Sequence, residues 1–200
     1  MKKPDLFTPK LKEELVKRYP KLVLASGSPN RTTLLRSLGI IVINRPQDIL
    51  ELSRETEPRF IVRELALNKL KSYMASTLFD EALPSLSADT LVCTDGHLAG
   101  KPKDRDDAFR LLSSFSGKEQ QILSGFALYR PGQEIINSYD ITTVKFKMLT
   151  ADEINEYLES GEYVGAAGGY KIQMKGFNLM ESINGSFSNA IGLPLECLLI

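Results

Sequence analysis

The sequence predicts a single α/β domain with a mixed β-sheet. Three observations carry that prediction. Apolar strand-like runs alternate with segments of helical period. Hairpin signals interrupt the alternation, so antiparallel pairs must join the parallel ones. The chain has 200 residues, 42% hydrophobic and 25% charged, the ordinary range for a globular core.

The elements follow in order. Thr8-Pro9 is a cap and first-turn proline, and Leu11, Leu15 and Val16 then recur at helical spacing until Pro20. Lys21–Ala25 reads as a buried strand and Ser26-Gly27-Ser28-Pro29 as a turn. A helix runs from Pro29 to Leu38, with Gly39 as its stop and a strand at Ile40–Ile43. Residues 45–58 are loop-like. A long helix starts near Pro58 and extends to about Leu78, with an inner stripe of Val62, Leu65, Ala66, Lys69, Leu70 and Tyr73. Ser87–Cys93 is a strand, and Thr94-Asp95-Gly96 signals a hairpin. Asp104–Phe115 is an amphipathic helix. Gln121–Tyr129 and Ile135–Met148 are strands joined through Pro131-Gly132. Thr150 and Glu153 form a capping box for a helix to Glu159. The last forty residues are glycine-rich, expected to hold short strands and a hairpin at Asn184-Gly185.

Composition narrows the function. Lys+Arg and Asp+Glu are each 25, a formal net charge of zero. Electrostatic wrapping of nucleic acid or adhesion to an anionic membrane is therefore not expected. No apolar run approaches the roughly 18 residues of a membrane span. Met1-Lys2-Lys3-Pro4-Asp5 lacks the apolar stretch of a signal peptide. Cys93 and Cys197 sit in apolar runs without metal spacing and read as buried thiols, so the cytoplasm is the expected compartment. A single histidine, His97, gives no zinc cluster and no choice of bases for a serine triad. There is no Gly-x-x-x-x-Gly-Lys-Ser/Thr loop.

Five positions nevertheless suggest chemistry. Ser28 stands at a helix N-terminus, whose unpaired N–H groups suit an anion. Arg31, in the first turn, opposes the helix dipole, which a bound phosphate would explain; an ordinary cap with a solvated arginine is the alternative. Lys69 lies on an apolar stripe, so it either snorkels to the rim or meets an anionic partner. Asp89 is embedded in Leu86-Ser87-Ala88-Asp89-Thr90-Leu91-Val92-Cys93, facing outward or engaged by a metal, a base or a donor network. Lys101, in Gly100-Lys101-Pro102, is a surface turn lysine or another phosphate cation. Scattered cations with few acids, Asp89 and Glu51, match a polyphosphate substrate with a divalent metal.

Leu24-Ala25-Ser26-Gly27-Ser28-Pro29-Asn30-Arg31 with Leu34-Leu35 resembles the opening motif of the Maf family of nucleoside triphosphate pyrophosphatases. So do Ala88–Val92, Gly100–Pro102, Leu112-x-x-Phe115-Ser116-Gly117 and Thr143–Phe146. Ala167–Gln173 and Ile183–Leu195 complete the resemblance, which runs collinearly from about Leu22 to Leu199 and leaves residues 1–20 as an N-terminal extension before a single domain at 21–200. It implies an elongated mixed sheet flanked by helices with a central nucleotide cleft, like the inosine triphosphate pyrophosphatases. It implies a homodimer using Mg²⁺ or Mn²⁺ that cleaves nucleoside triphosphates to monophosphate and pyrophosphate, with a link to arrest of septum formation.

Residue by residue, Ser28 and Arg31 match the family's phosphate-binding positions, and Lys69 and Lys101 its phosphate lysines. Asp89 matches the carboxylate that accepts a proton from the attacking water. Glu51 matches an acid that helps place the metal, with Glu55 as the other alignment. Thr90 and Gln173 match positions marking the branch that acts on dTTP and UTP. Two departures bear on activity. Asn30 replaces an arginine associated with base choice. Gly165-Ala166 replaces Asp-Lys, and a lost charge-assisted hydrogen bond there is worth about 1.5–3 kcal/mol. The expected function is a house-cleaning pyrophosphatase acting on dTTP, UTP or modified nucleotides. The alternatives are a nucleotide-binding module of division control with little turnover, and a phosphate-ester hydrolase releasing orthophosphate.

Overall fold

A computed structural model describes residues 2–50 and 52–200. The chain forms helix α1 (Pro9–Arg18), strand β1 (Lys21–Leu24), α2 (Pro29–Leu38), β2 (Ile41–Asn44), α3 (Pro58–Met74) and β3 (Ser85–Thr94). Then come β4 (His97–Ala99), α4 (Arg105–Phe115), β5 (Glu119–Tyr129), β6 (Ile136–Phe146), α5 (Ala151–Leu158), β7 (Met180–Asn184) and α6 (Phe187–Ile191). The strands make one mixed sheet of order β2-β1-β3-β5-β6-β7, with β4 pairing β3 as an appendage. β1 runs parallel to β2 and β3, while β3, β5, β6 and β7 are successively antiparallel. The parallel pairs need crossovers, which α2 and α3 supply.

The long strands β3, β5 and β6 span two hydrophobic cores. One gathers α1, α2, the β1–β2 end and the C-terminal Leu195–Leu199 turn around Leu22, Leu35 and Phe126. The other gathers α4, α5 and the 165–180 segment around Leu112, Phe146 and Tyr170. The α1 helix belongs to the first core: Leu11 and Leu15 are buried, and the Tyr19 hydroxyl donates to the Leu198 carbonyl at 2.9 Å. No helix among the described residues is long and apolar enough to cross a membrane.

Most element boundaries follow the sequence signals. The α3 stripe is buried at the six expected positions, Lys69 included. The Thr150–Glu153 capping box is present. Asp95 and Gly96 both take positive φ in the β3–β4 hairpin, as a two-residue primed turn requires. Four expectations need correction. The long helix stops at Met74 rather than near Leu78, because the Ser76 hydroxyl donates back to the Tyr73 carbonyl at 2.7 Å and closes the last turn. Asn184-Gly185 does not turn between strands; Ser186 caps α6 there, its side chain accepting the Asn189 N–H. Beyond residue 160, β7 is the one strand among the described residues, and short helical turns take the place of the others. Cys197 is half-buried rather than buried, its thiol pushed up to about 11 mainly by burial.

Candidate active site

Between the two cores lies an open cleft of about 1020 Å³. Its floor is the point where α3 meets β3. Alternation along β3 sends Ser87 and Asp89 to the α3 side, where the Ser87 hydroxyl donates to the Ala66 carbonyl at 2.6 Å. One helical turn further, the Lys69 ammonium donates to Asp89 Oδ1 at 2.5 Å. Both side chains are about nine-tenths buried. The helix gets this close because Gly125, paired with Asp89 on β5, has no side chain. A Cβ at Gly125 would sit 2.2 Å from the Val62 carbonyl oxygen. Lys69 therefore does not snorkel; it meets the strand carboxylate that the sequence flagged separately.

One wall is the β1–α2 junction. Ser28 caps α2, its hydroxyl accepting the Arg31 N–H at a long 3.5 Å, and no acid occupies the first turn. Arg31 is buried, not solvated. Its guanidinium donates to the Gly192 carbonyl (2.8 Å), Ser26 Oγ (2.8 Å) and Thr90 Oγ1 (2.9 Å). Thr90 also bonds Ser124 Oγ at 2.9 Å, so its hydroxyl is part of the frame that holds Arg31. Ser26 and Gly192 were not singled out by sequence reasoning as orienting groups. The signal was present only as their place inside the Ser-Gly-Ser and Gly-Leu-Pro runs.

The other wall is built from loops. Lys101 follows β4 and is exposed. The Gly168 N–H donates to the Gly100 carbonyl at 3.0 Å, which ties this loop to the 164–173 segment. That segment is anchored from behind. The Tyr170 hydroxyl, buried in the second core, donates to Gln120 Oε1 at 2.9 Å. The buried Glu162 carboxylate accepts the N–H groups of Lys175 (3.0 Å) and Gly176 (3.4 Å). Burial holds the Tyr157 and Tyr170 phenols well above their ordinary range, so both remain protonated hydrogen-bonding groups. Gln173 lines the cleft, and its carbonyl accepts from the Lys3 ammonium.

The cleft thus brings together Ser28, Asn30, Arg31, Lys69, Asp89, Thr90, Lys101 and Gln173. Glu51 lies outside the described residues. Glu55 is exposed and does not line the cleft. Among the described lining residues the cations are Arg31, Lys69, Lys101 and Lys171, and Asp89 is the carboxylate. A protein of zero net charge has concentrated positive charge in one cleft, which suits a polyanion. No cluster of three metal-ligating side chains occurs among the described residues. The donor set still fits a magnesium-type ion, which is held by one or two carboxylates and otherwise by water and substrate phosphates.

The family model described as Maf-like protein matches residues 21–199. A protein of Symbiobacterium thermophilum named dTTP/UTP pyrophosphatase is 39% identical over 176 residues, covering 88% of this chain and 89% of that protein. One of Chromobacterium violaceum with the same name is 39% identical over 179 residues, covering 88% and 90%. The solved nucleoside-triphosphatase / dITP/XTP pyrophosphatase of Mycobacterium abscessus aligns at 16% identity and a TM-score of 0.41, over 64% of this chain and 75% of that one.

Proposed function

We infer the function from one premise: this chain belongs to the Maf family of Maf-like proteins. It is a nucleoside triphosphate pyrophosphatase, a hydrolase that converts a nucleoside triphosphate and water to the monophosphate and pyrophosphate. The observation that supports this reading within the molecule is the buried Asp89–Lys69 pair at the floor of a cation-lined cleft.

In the reaction we propose, Asp89 takes a proton from the attacking water. The water oxygen bonds to phosphorus at the α–β bridge, the bridging P–O bond breaks, and pyrophosphate leaves. Lys69 orients the Asp89 carboxylate and supplies charge beside the reacting phosphorus. Arg31, oriented by the Gly192 carbonyl and Ser26 Oγ, and Lys101 balance the charge on the phosphate chain. Ser28 and the α2 N-terminus offer hydroxyl and N–H groups to a phosphate oxygen. Asp89 would hold a divalent ion, whose chemistry there would be to neutralise the charge that develops on the phosphates. Asn30, Thr90 and Gln173 line the cleft where base choice can be made, and the names of the relatives point to dTTP and UTP. A homodimer in the cytoplasm is the corresponding expectation for its assembly and place.

A panel of canonical and modified nucleoside triphosphates with Mg²⁺ or Mn²⁺ tests this, reading pyrophosphate and orthophosphate separately. Pyrophosphate from dTTP or UTP is the expected result. Orthophosphate as the first product, or binding without turnover across the panel, would overturn it.

A further inference from the structure

The loop-built wall carries a cation that neither the motifs nor the reaction above assigns. Lys171 lines the cleft and is half-buried. Among the described residues its ammonium has no ion pair or hydrogen bond. Its backbone, by contrast, is fixed at both ends. The Lys171 N–H donates to the Tyr157 hydroxyl at 3.1 Å, and its carbonyl accepts the Met174 N–H at 3.0 Å. Its neighbours Tyr170 and Ile172 are buried in the second core, while Lys171 and Gln173, half-buried, are the more exposed members of this stretch of the cleft lining. Gly176 packs against the Lys171 backbone so closely that an added Cβ would lie 2.6 Å from the Lys171 carbonyl oxygen. A lysine tail with several rotatable bonds is costly to place precisely. Fixing the backbone it springs from removes part of that cost. On the same wall, Ala166 is a buried methyl group and contributes no charge.

We propose that Lys171 is a substrate-binding residue whose ammonium takes an oxygen of the polyphosphate chain, giving the loop-built wall a second cation beside Lys101. This rests on the reading of the cleft as a nucleoside triphosphate site, with the ligand class being a linear polyphosphate anion. A charge-assisted hydrogen bond of this kind corresponds to roughly a tenfold change in affinity or more.

The test is calorimetric binding of inorganic tripolyphosphate to the full chain, comparing wild type with Lys171→Gln and Lys171→Arg. The expected result is binding weakened about tenfold in Lys171→Gln and within about threefold of wild type in Lys171→Arg. With UTP as substrate, KM rises in Lys171→Gln while kcat stays within about twofold, as loss of uniform binding requires. Unchanged circular dichroism melting excludes a folding defect. If Lys171→Gln binds tripolyphosphate within twofold of wild type, or if Lys171→Arg is as weak as Lys171→Gln, the assignment fails. If wild type shows no nucleotide turnover but the tripolyphosphate difference persists, the anion site stands and the proposed reaction falls.

Discussion

On the α2 side of the cleft, a buried arginine is held by three neutral oxygens from three different segments; on the loop-built side, two lysines stand without an acid beside them among the described residues. The first arrangement fixes charge before substrate arrives. A planar guanidinium with a rigid fork of donors suits that role, because each acceptor constrains its orientation. The second arrangement keeps flexible ammonium groups at the rim and fixes only the backbone that carries them. The contrast teaches that a site can be rigid in its side chains on one wall and rigid only in its main chain on the other. In the function proposed above, the former would hold a phosphate in place and the latter would serve capture and release of a charged chain.

The comparison breaks first if the floor itself is displaced. Gly125→Ala places a Cβ 2.2 Å from the Val62 carbonyl oxygen, a backbone atom on α3 that cannot rotate away. The expected cost is about 3 kcal/mol, read as a fall in Tm of about 6–12 °C. Activity should fall further than the folded fraction at 25 °C, because α3 carries Lys69 away from Asp89. A variant with normal Tm and normal turnover would show that the close approach does not set the floor.

A smaller effect sharpens the contrast between walls. Arg31→Lys keeps the charge but cannot reach Ser26, Thr90 and the Gly192 carbonyl in one plane. We expect kcat/KM to fall about 10- to 100-fold, corresponding to about 1.5–3 kcal/mol. The reverse exchange at Lys171 should be nearly silent, since no fixed set of acceptors surrounds it. Equal sensitivity of the two positions to exchange between arginine and lysine would erase the distinction.

Where periodicity or chemical anomaly marks a residue, the sequence was readable. The α3 stripe emerged from a 3.6-residue period, and the one lysine in it proved to be buried against Asp89. Asp89 was visible because a carboxylate in an apolar strand is expensive without a partner. Arg31 stood out against the helix dipole, although three of its side-chain partners lie 5, 59 and 161 residues away and no local pattern could reveal them. Lys171 and Glu162 sit in an aperiodic glycine-rich segment, so their placement depends on tertiary contacts with Tyr157, Lys175 and Gly176. The Asn184-Gly185 signal misled for a related reason. Its turn propensity is real, but the Thr142 hydroxyl donates to the Ser186 carbonyl at 2.8 Å and directs the chain into α6.

In the proposed reaction, Asp89, oriented by Lys69, is the base for hydrolysis at the α–β bridge. The most direct measurement is a time course of pyrophosphate release from UTP and dTTP by wild type and Asp89→Asn under identical metal and salt. The substitution preserves the shape of the side chain and removes its capacity to take a proton. The expected result is steady pyrophosphate release by wild type and a loss of about 10²–10⁴-fold per folded molecule in the variant, with the folded fraction read from its Tm. Turnover by Asp89→Asn within a few-fold of wild type would contradict the account.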